Sequence, residues 1–302
     1  MSALRITHDV GSSVTVRDGD VDLFTYVYQP TTAPLESPKP YLHPIRTRRG
    51  EVVSLFRPHD HVWHKGIAWA LPVVNDENFW GGPTYVHGQF YVQLPNNGVQ
   101  QHEGEVALAA GERATISHEL RWITETGEVL FAEERTLAAG TLSDDAWALV
   151  FDTRLRNVSE APIAIGSPTT RGRENAGYGG LFWRGPRSFT GGALVAPGVT
   201  GSGDDVRGMR SEWMGFTGQH DDADAVSLVL MLDDSANPHH PPQWFARSEE
   251  FAALNPAPFF SEEVVIAPGE MARFRYAVGI TDGGADAAPA LAAELRGVLN
   301  PV

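Results

Sequence analysis

Residues 104–140 read GEVALAAGERATISHELRWITETGEVLFAEERTLAAG. Three long runs with apolar residues at alternate positions are separated by turn signals at Gly111 and Gly127. This is the pattern of half-buried antiparallel strands joined by tight turns. In the third run Glu133 and Arg135 fall on one face and Glu134 on the other. Glu133 with Arg135 reads as a surface ion pair.

The same pattern extends in both directions. SSVTVRDGDVDLFTYVY predicts a hairpin turning at Asp18-Gly19. PYLHPIRTRRGEVVSLF predicts a pair turning near Gly50, and WALVFDTRLRNVSEAPIAIG a further one turning at NVSE. MARFRYAVGIT alternates Phe274, Tyr276, Val278 and Ile280 with outward residues. One convincing helix lies at the C-terminal end, in TDGGADAAPALAAELRGVLN, with Asp286 as its expected N-cap. There is no alternation of strands with helices, and no GxGxxG or GxxxxGK run, which disfavours nucleotide-binding folds. The expected architecture is all-β: a large antiparallel β-sandwich with a short C-terminal helix, forming a single domain over residues 1–302. The Pro-rich segment 29–40 is expected to be an ordered connection within it.

A net charge of −15 repels nucleic acid and anionic membrane surfaces. No cysteine is present, so disulfides, thiol nucleophiles and iron–sulfur clusters are excluded, and no haem or nucleotide motif is seen. No run is long and apolar enough to span a bilayer. The first residues, MSALRITHDVGSSV, hold no apolar core of a signal peptide, so the expected location is cytoplasmic.

RPHDHVWHKG, residues 57–66, places His59, His61 and His64 within six residues, with Asp60 among them and Lys65 after them. In a strand His59 and His61 would share a face, and His64 would need a turn to join them. Three readings stay open: a divalent metal on His59, His61 and His64, proton transfer by one of the histidines, or a structural polar network. HxHxxH matches no zinc signature of specific spacing. His43, His87 and Glu134 are candidates to converge with the cluster, as are Arg171 and Arg173 in the long Gly-rich loop TTRGRENAGYGG. Trp63, Trp80, Trp183 and Trp244 adjoin such polar segments, and indole faces beside imidazoles and carboxylates suit a sugar. Trp69 and Trp213 lie in apolar runs and are expected to pack in the core.

In order along the chain, KPYLHPIRTRRGEVVS, PHDHVWHKGIAWA, VNDENFWGG, LFAEERTL, YGGLFWRGP and DDSANPHHPPQWFAR resemble the bacterial family labelled "methane oxygenase PmoA". The resemblance runs from about Leu23 to about Gly283. The family's DHxxHxG and VNxxxFW patterns are matched by Asp60, His61, His64 and Gly66, then by Val74, Asn75, Phe79 and Trp80. Where the family often carries a second histidine this chain has Trp63, which excludes a metal ligand at that position, and Lys65 stands where arginine is usual. A membrane methane monooxygenase requires transmembrane helices, so that activity is not implied. The fold implied resembles the galactose-mutarotase-like supersandwich, a superfamily of aldose epimerases, glycosidase domains and polysaccharide lyase domains. The mutarotase motif NHxYFN is missing, which counts against mutarotase activity.

These readings together predict a carbohydrate-active enzyme moving a proton on a neutral or keto-sugar or glycoside, by epimerisation or by elimination or hydrolysis. His61, His64, His87 and Glu134 are the expected catalytic groups. His43, Asp60, Lys65, Trp80, Arg171, Arg173 and Trp244 are the expected substrate contacts. The alternatives are a non-catalytic sugar-binding module and a metal-dependent, cupin-like oxygenase. Neither a specific metal nor an oligomeric state is readable from the chain.

Overall fold

The computed structural model describes residues 3–221 and 223–300. Two large sheets dominate. The first has eight strands, ordered Arg5–Asp9, Ser13–Asp18, Val21–Val27, Tyr41–Ile45, Ile67–Ala70, Gly180–Arg184, Ala253–Ala257 and Gln243–Arg247. The second has nine: Val199–Gly201, Ala193–Ala196, Trp213–Gln219, Val226–Asp233, Met271–Asp282, Ala146–Asn157, Val129–Thr141, Arg113–Ile123 and Val99–Ala109. Neighbours pair antiparallel, as in the long meander that Gly111 and Gly127 turn. The expected all-β sandwich with a short C-terminal helix is what the chain forms. NVSE does not close a hairpin, because Ile163–Gly166 leaves the large sheets to pair with Val264–Ile266 and Val73–Val74.

The sheets pack face to face. Trp69 of the first lies 5.0 Å from Phe274 and 6.2 Å from Phe151 of the second, ring centre to ring centre, and Phe24 stacks on Trp147. Burial of such rings dominates core energetics, at about 1.5–3 kcal/mol for each large side chain. The helix Ala288–Leu299 seals the outer face of the nine-stranded sheet through Leu291, Ala292, Leu295 and Leu299. Asp286 does not cap it; it lies in a short 3-10 turn, Ala285–Ala287, that leads into the helix. No helix of the described residues is long and apolar enough to cross a membrane.

Period-2 alternation decides which side chains are structural. Leu181 and Trp183 point between the sheets, whereas Phe182 packs in a separate cluster on the outer face of the eight-stranded sheet. Trp244 and Ala246 likewise point inward, and Phe245 outward. Glu133 and Arg135 also point inward. Both side chains are fully buried, so the expected surface pair is a core pair. Glu133 accepts from Trp122 Nε1 at 2.6 Å, Thr153 Oγ1 at 2.6 Å and Arg135 Nε at 2.6 Å. Arg135 also reaches Gln100 and Tyr26, and Tyr26 bonds His118, whose value burial lowers to about 2. Every buried charge here has partners, as a low-dielectric interior requires.

Candidate functional site

The segment 57–66 is a tight loop rather than a strand. Its base is closed by Arg57 N–H to the His64 carbonyl and by pairing of Phe56 with Lys65. Inside it, the His61 N–H donates to Pro58 O and the His64 N–H to His61 O, both at 2.9 Å. The three-residue step brings His61 and His64 to one side, where their rings stack with centres 4.7 Å apart and planes 21° apart. His59 turns out to solvent, with its side chain 87% exposed and Nδ1 3.2 Å from Arg187. The candidate metal set His59, His61 and His64 therefore does not converge. Among the described residues no group of three His, Asp or Glu side chains is arranged to hold a metal ion.

His61 and His64 open onto a cavity of about 390 Å³ on the outer face of the eight-stranded sheet. Its walls are aromatic: Trp63, Trp80, Tyr178, Phe182, Phe245 and Phe251. The polar lining adds Tyr91, Arg173, Arg247 and Glu250. Trp63 lies flat against the Gly81-Gly82 backbone. A Cβ on Gly82, whose φ is +68°, would sit 2.7 Å from the indole, so the second glycine of FWGG makes room for that wall.

Three hydrogen-bond assignments follow from donor and acceptor chemistry. Asp60 Oδ2 lies 2.9 Å from His61 Nδ1, and Arg187 donates to Asp60 Oδ1 at 2.7 Å. Partial burial would raise the Asp60 value, but the bonds from His61 and Arg187 hold it well below the usual carboxylate range. An ionised carboxylate only accepts, so His61 Nδ1 carries the proton and Nε2 is left as the basic nitrogen. His64 is buried, and burial pushes it well below the ordinary imidazole value, so it is neutral. Arg184 NH1 lies 3.4 Å from its Nδ1. Arginine only donates, which makes Nδ1 the acceptor and Nε2–H the donor. Arg173 NH1 donates to Tyr91 Oη, and Tyr91 Oη lies 2.9 Å from Tyr178 Oη. Tyr91 thus accepts from Arg173, and between Tyr91 and Tyr178 either hydroxyl can donate. Burial keeps the Tyr178 phenol protonated by raising it well above its ordinary value.

Behind the cavity, Arg184 is 1% exposed, and its Cζ sits 3.8 Å from the centre of the Phe251 ring. Burial lowers its value to about 10, which leaves it charged at neutral pH.

The other expected contacts lie elsewhere. Lys65 is buried and bonded to Glu36 at 2.7 Å, not to the cavity. Trp244 is wholly in the core, with Nε1 on Ser211 O, and Trp183 is bonded to Val53 O; one step along each strand, Phe245 and Phe182 take the places expected of them. His43 bonds Ser54 and stacks on Phe56. Arg171 donates to Asn75 O, and with His87 it lines a separate hollow. Glu134 faces solvent on the nine-stranded sheet, paired with Arg154. The expected foursome of His61, His64, His87 and Glu134 is thus not formed: only the first two meet. Asp60, Trp80 and Arg173 join them.

The loop is anchored from beneath. Glu36 accepts from Lys65 and, in a fork at 2.9 and 2.7 Å, from Arg57. Lys39 gives its three protons to the carbonyls of Glu36, Ser37 and Trp80. Burial would raise the Glu36 value, but the bonds from Arg57 and Lys65 bring it from 4.5 down to about 2. The depressed carboxylate stabilises the fold fully above about pH 4.5, and that contribution is lost as pH falls through about 2. Over that window wild-type protein is expected to lose about 3 kcal/mol more than Glu36→Gln; urea unfolding at successive pH values measures the difference.

No curated protein matches this chain. Among solved structures it is similar to a heparan sulfate lyase HepC mutant from Pedobacter heparinus, at 9% identity and TM-score 0.39, over 90% of this chain and 34% of that one. It is similar to an alpha-galactosidase from Lactobacillus brevis at 9% identity and TM-score 0.38, over 93% and 39%. It is also similar to a GalM/aldose epimerase homologue from C. elegans at 9% identity and TM-score 0.32, over 94% and 99%. The chain spans about a third of the length of the first of these. A family profile also matches, and its description names no oxygenase. Residues 13–294 match this profile, described as "Family of unknown function (DUF6807)", and the chain belongs to that family.

Proposed function

We propose that the cavity binds a sugar or glycoside bearing a carbonyl group and that His61 abstracts a proton from the carbon beside it. The carrying observation is the Asp60–His61 pair, 2.9 Å apart, set in the mouth of an aromatic-walled cavity. A carboxylate on Nδ1 fixes the tautomer and supports the positive charge that Nε2 acquires with the proton. The Tyr178 hydroxyl and His64 Nε2–H are neutral donors for the oxygen on which the negative charge gathers. Trp63 and Trp80 offer ring faces to the C–H face of a pyranose. Return of the proton to the opposite face would epimerise the carbon, and loss of a group from the next carbon would eliminate it.

A metal-dependent, cupin-like oxygenase is less well supported, because Nδ1 of His61 is committed to Asp60 and His59 points away. The test is proton exchange. Wild-type protein in D₂O with a panel of keto-glycosides and methyl uronides is expected to replace the C–H beside the carbonyl or carboxyl carbon with deuterium, followed by loss of its ¹H NMR signal. Exchange no faster than in buffer across the panel would sink the reading.

A further inference from the structure

Arg173 is half-buried at the cavity wall, and NH1 to Tyr91 is its one side-chain hydrogen bond among the described residues. No carboxylate pairs with it there. A guanidinium carries five N–H donors, so most of its fork is unused. Its neighbour Arg247 is neutralised by Glu250 at 2.8 Å. The cavity wall therefore holds two arginines against one carboxylate, 2 − 1 = +1. Adding Arg184, Arg187 and Asp60 behind it gives 4 − 2 = +2. This occurs in a chain whose net charge is −15. A local reversal of sign in a low-dielectric hollow focuses an anion there.

The rim is also held under strain. Phe90 adopts a left-handed conformation, with φ at +66°, and is 62% exposed. Such a conformation is an outlier for a bulky side chain and persists where surrounding structure imposes it. The Arg173 guanidinium sits over the Phe90 and Tyr91 rings at 5.2 and 4.7 Å. These contacts hold the short hairpin Thr84–Val86 and Phe90–Val92 against the cavity and keep Arg173 at its wall.

We infer that the sugar bound here is a sugar acid, and that its carboxylate is received by Arg173 and the Tyr178 hydroxyl. The planar fork matches a carboxylate. This rests on the proposed proton abstraction and deepens it. The carboxylate is then both the anion that the wall attracts and the carbonyl group that acidifies the neighbouring C–H once its charge is neutralised.

The test compares methyl uronides of gluco, galacto and manno configuration with the matching neutral methyl hexosides and with hexose 6-phosphates, by calorimetric titration. Wild-type protein is expected to bind at least one uronide tenfold or more tighter than its hexoside, and raising the salt concentration should erode that advantage. Arg173→Gln should bring the two within about threefold, and Arg173→Lys should restore part of the gap, since lysine keeps the charge without the fork. Equal or tighter binding of hexosides overturns the inference while leaving the proton-exchange reading intact. Tighter binding of the phosphates, or a uronide preference unchanged in Arg173→Gln, also overturns it. Failure of every sugar to bind overturns the inference, and the proton-exchange experiment then decides separately the reading on which it rests.

Discussion

His61→Ala is expected to lower kcat/KM on the exchanging substrate by about 10²–10⁴-fold, the usual contribution of a positioned acid–base group. Folding should be nearly untouched. The His61 side chain is one-third exposed and sits in a surface loop whose closing bonds are main-chain, so the change in stability should stay within about 1 kcal/mol. Asp60→Asn provides the companion measurement. The amide cannot hold the His61 tautomer as a carboxylate does, so turnover should fall while sugar binding persists. A melting temperature that collapses with either change would make the loop a structural device. Unaltered turnover in His61→Ala would move the base elsewhere.

The largest stability effect is expected in the core between the sheets, on the nine-stranded sheet and away from the cavity. Glu133→Ala should cost about 3–5 kcal/mol, because it strands Arg135 in the core without its carboxylate and removes the acceptor of Trp122 and Thr153. Glu134→Ala, at the next position, should cost no more than about 0.5 kcal/mol, since that side chain is exposed and loosely paired. Urea midpoints for the two variants measure the contrast. Equal losses would mean that the alternation along Val129–Thr141 does not separate inside from outside.

The meander of residues 104–140 was legible because its period and its turns agree, and because Gly111 and Gly127 stand where the chain must reverse. Which face is buried was not legible. Alternation fixes that Glu133 and Arg135 are neighbours on one side, but an ion pair reads the same on either. The same one-residue ambiguity explains Trp183 and Trp244, which are conspicuous indoles that point into the core while Phe182, Phe245 and Arg247 beside them face the cavity. His61, His64, Asp60, Trp80 and Arg173 could be singled out from type and clustering alone. Tyr91, Tyr178, Glu250 and Phe251 could not. Tyr178 stands in the quoted Gly-rich loop but carries no chemical signal of its own, and Tyr91 sits in the short strand Phe90–Val92. Glu250 and Phe251 lie in the turn between Gln243–Arg247 and Ala253–Ala257, and only the pairing of that hairpin with Gly180–Arg184 and Ile67–Ala70 sets them beside the histidine loop.

Lys39 and Lys65, the two lysines of the chain, are each only 1% accessible. Every basic side chain that the folded molecule shows to water is therefore a guanidinium or an imidazole. Reagents and enzymes that modify lysine amines find no target on the native surface, and acylation of either lysine would report that the anchoring loop beneath the cavity had come open.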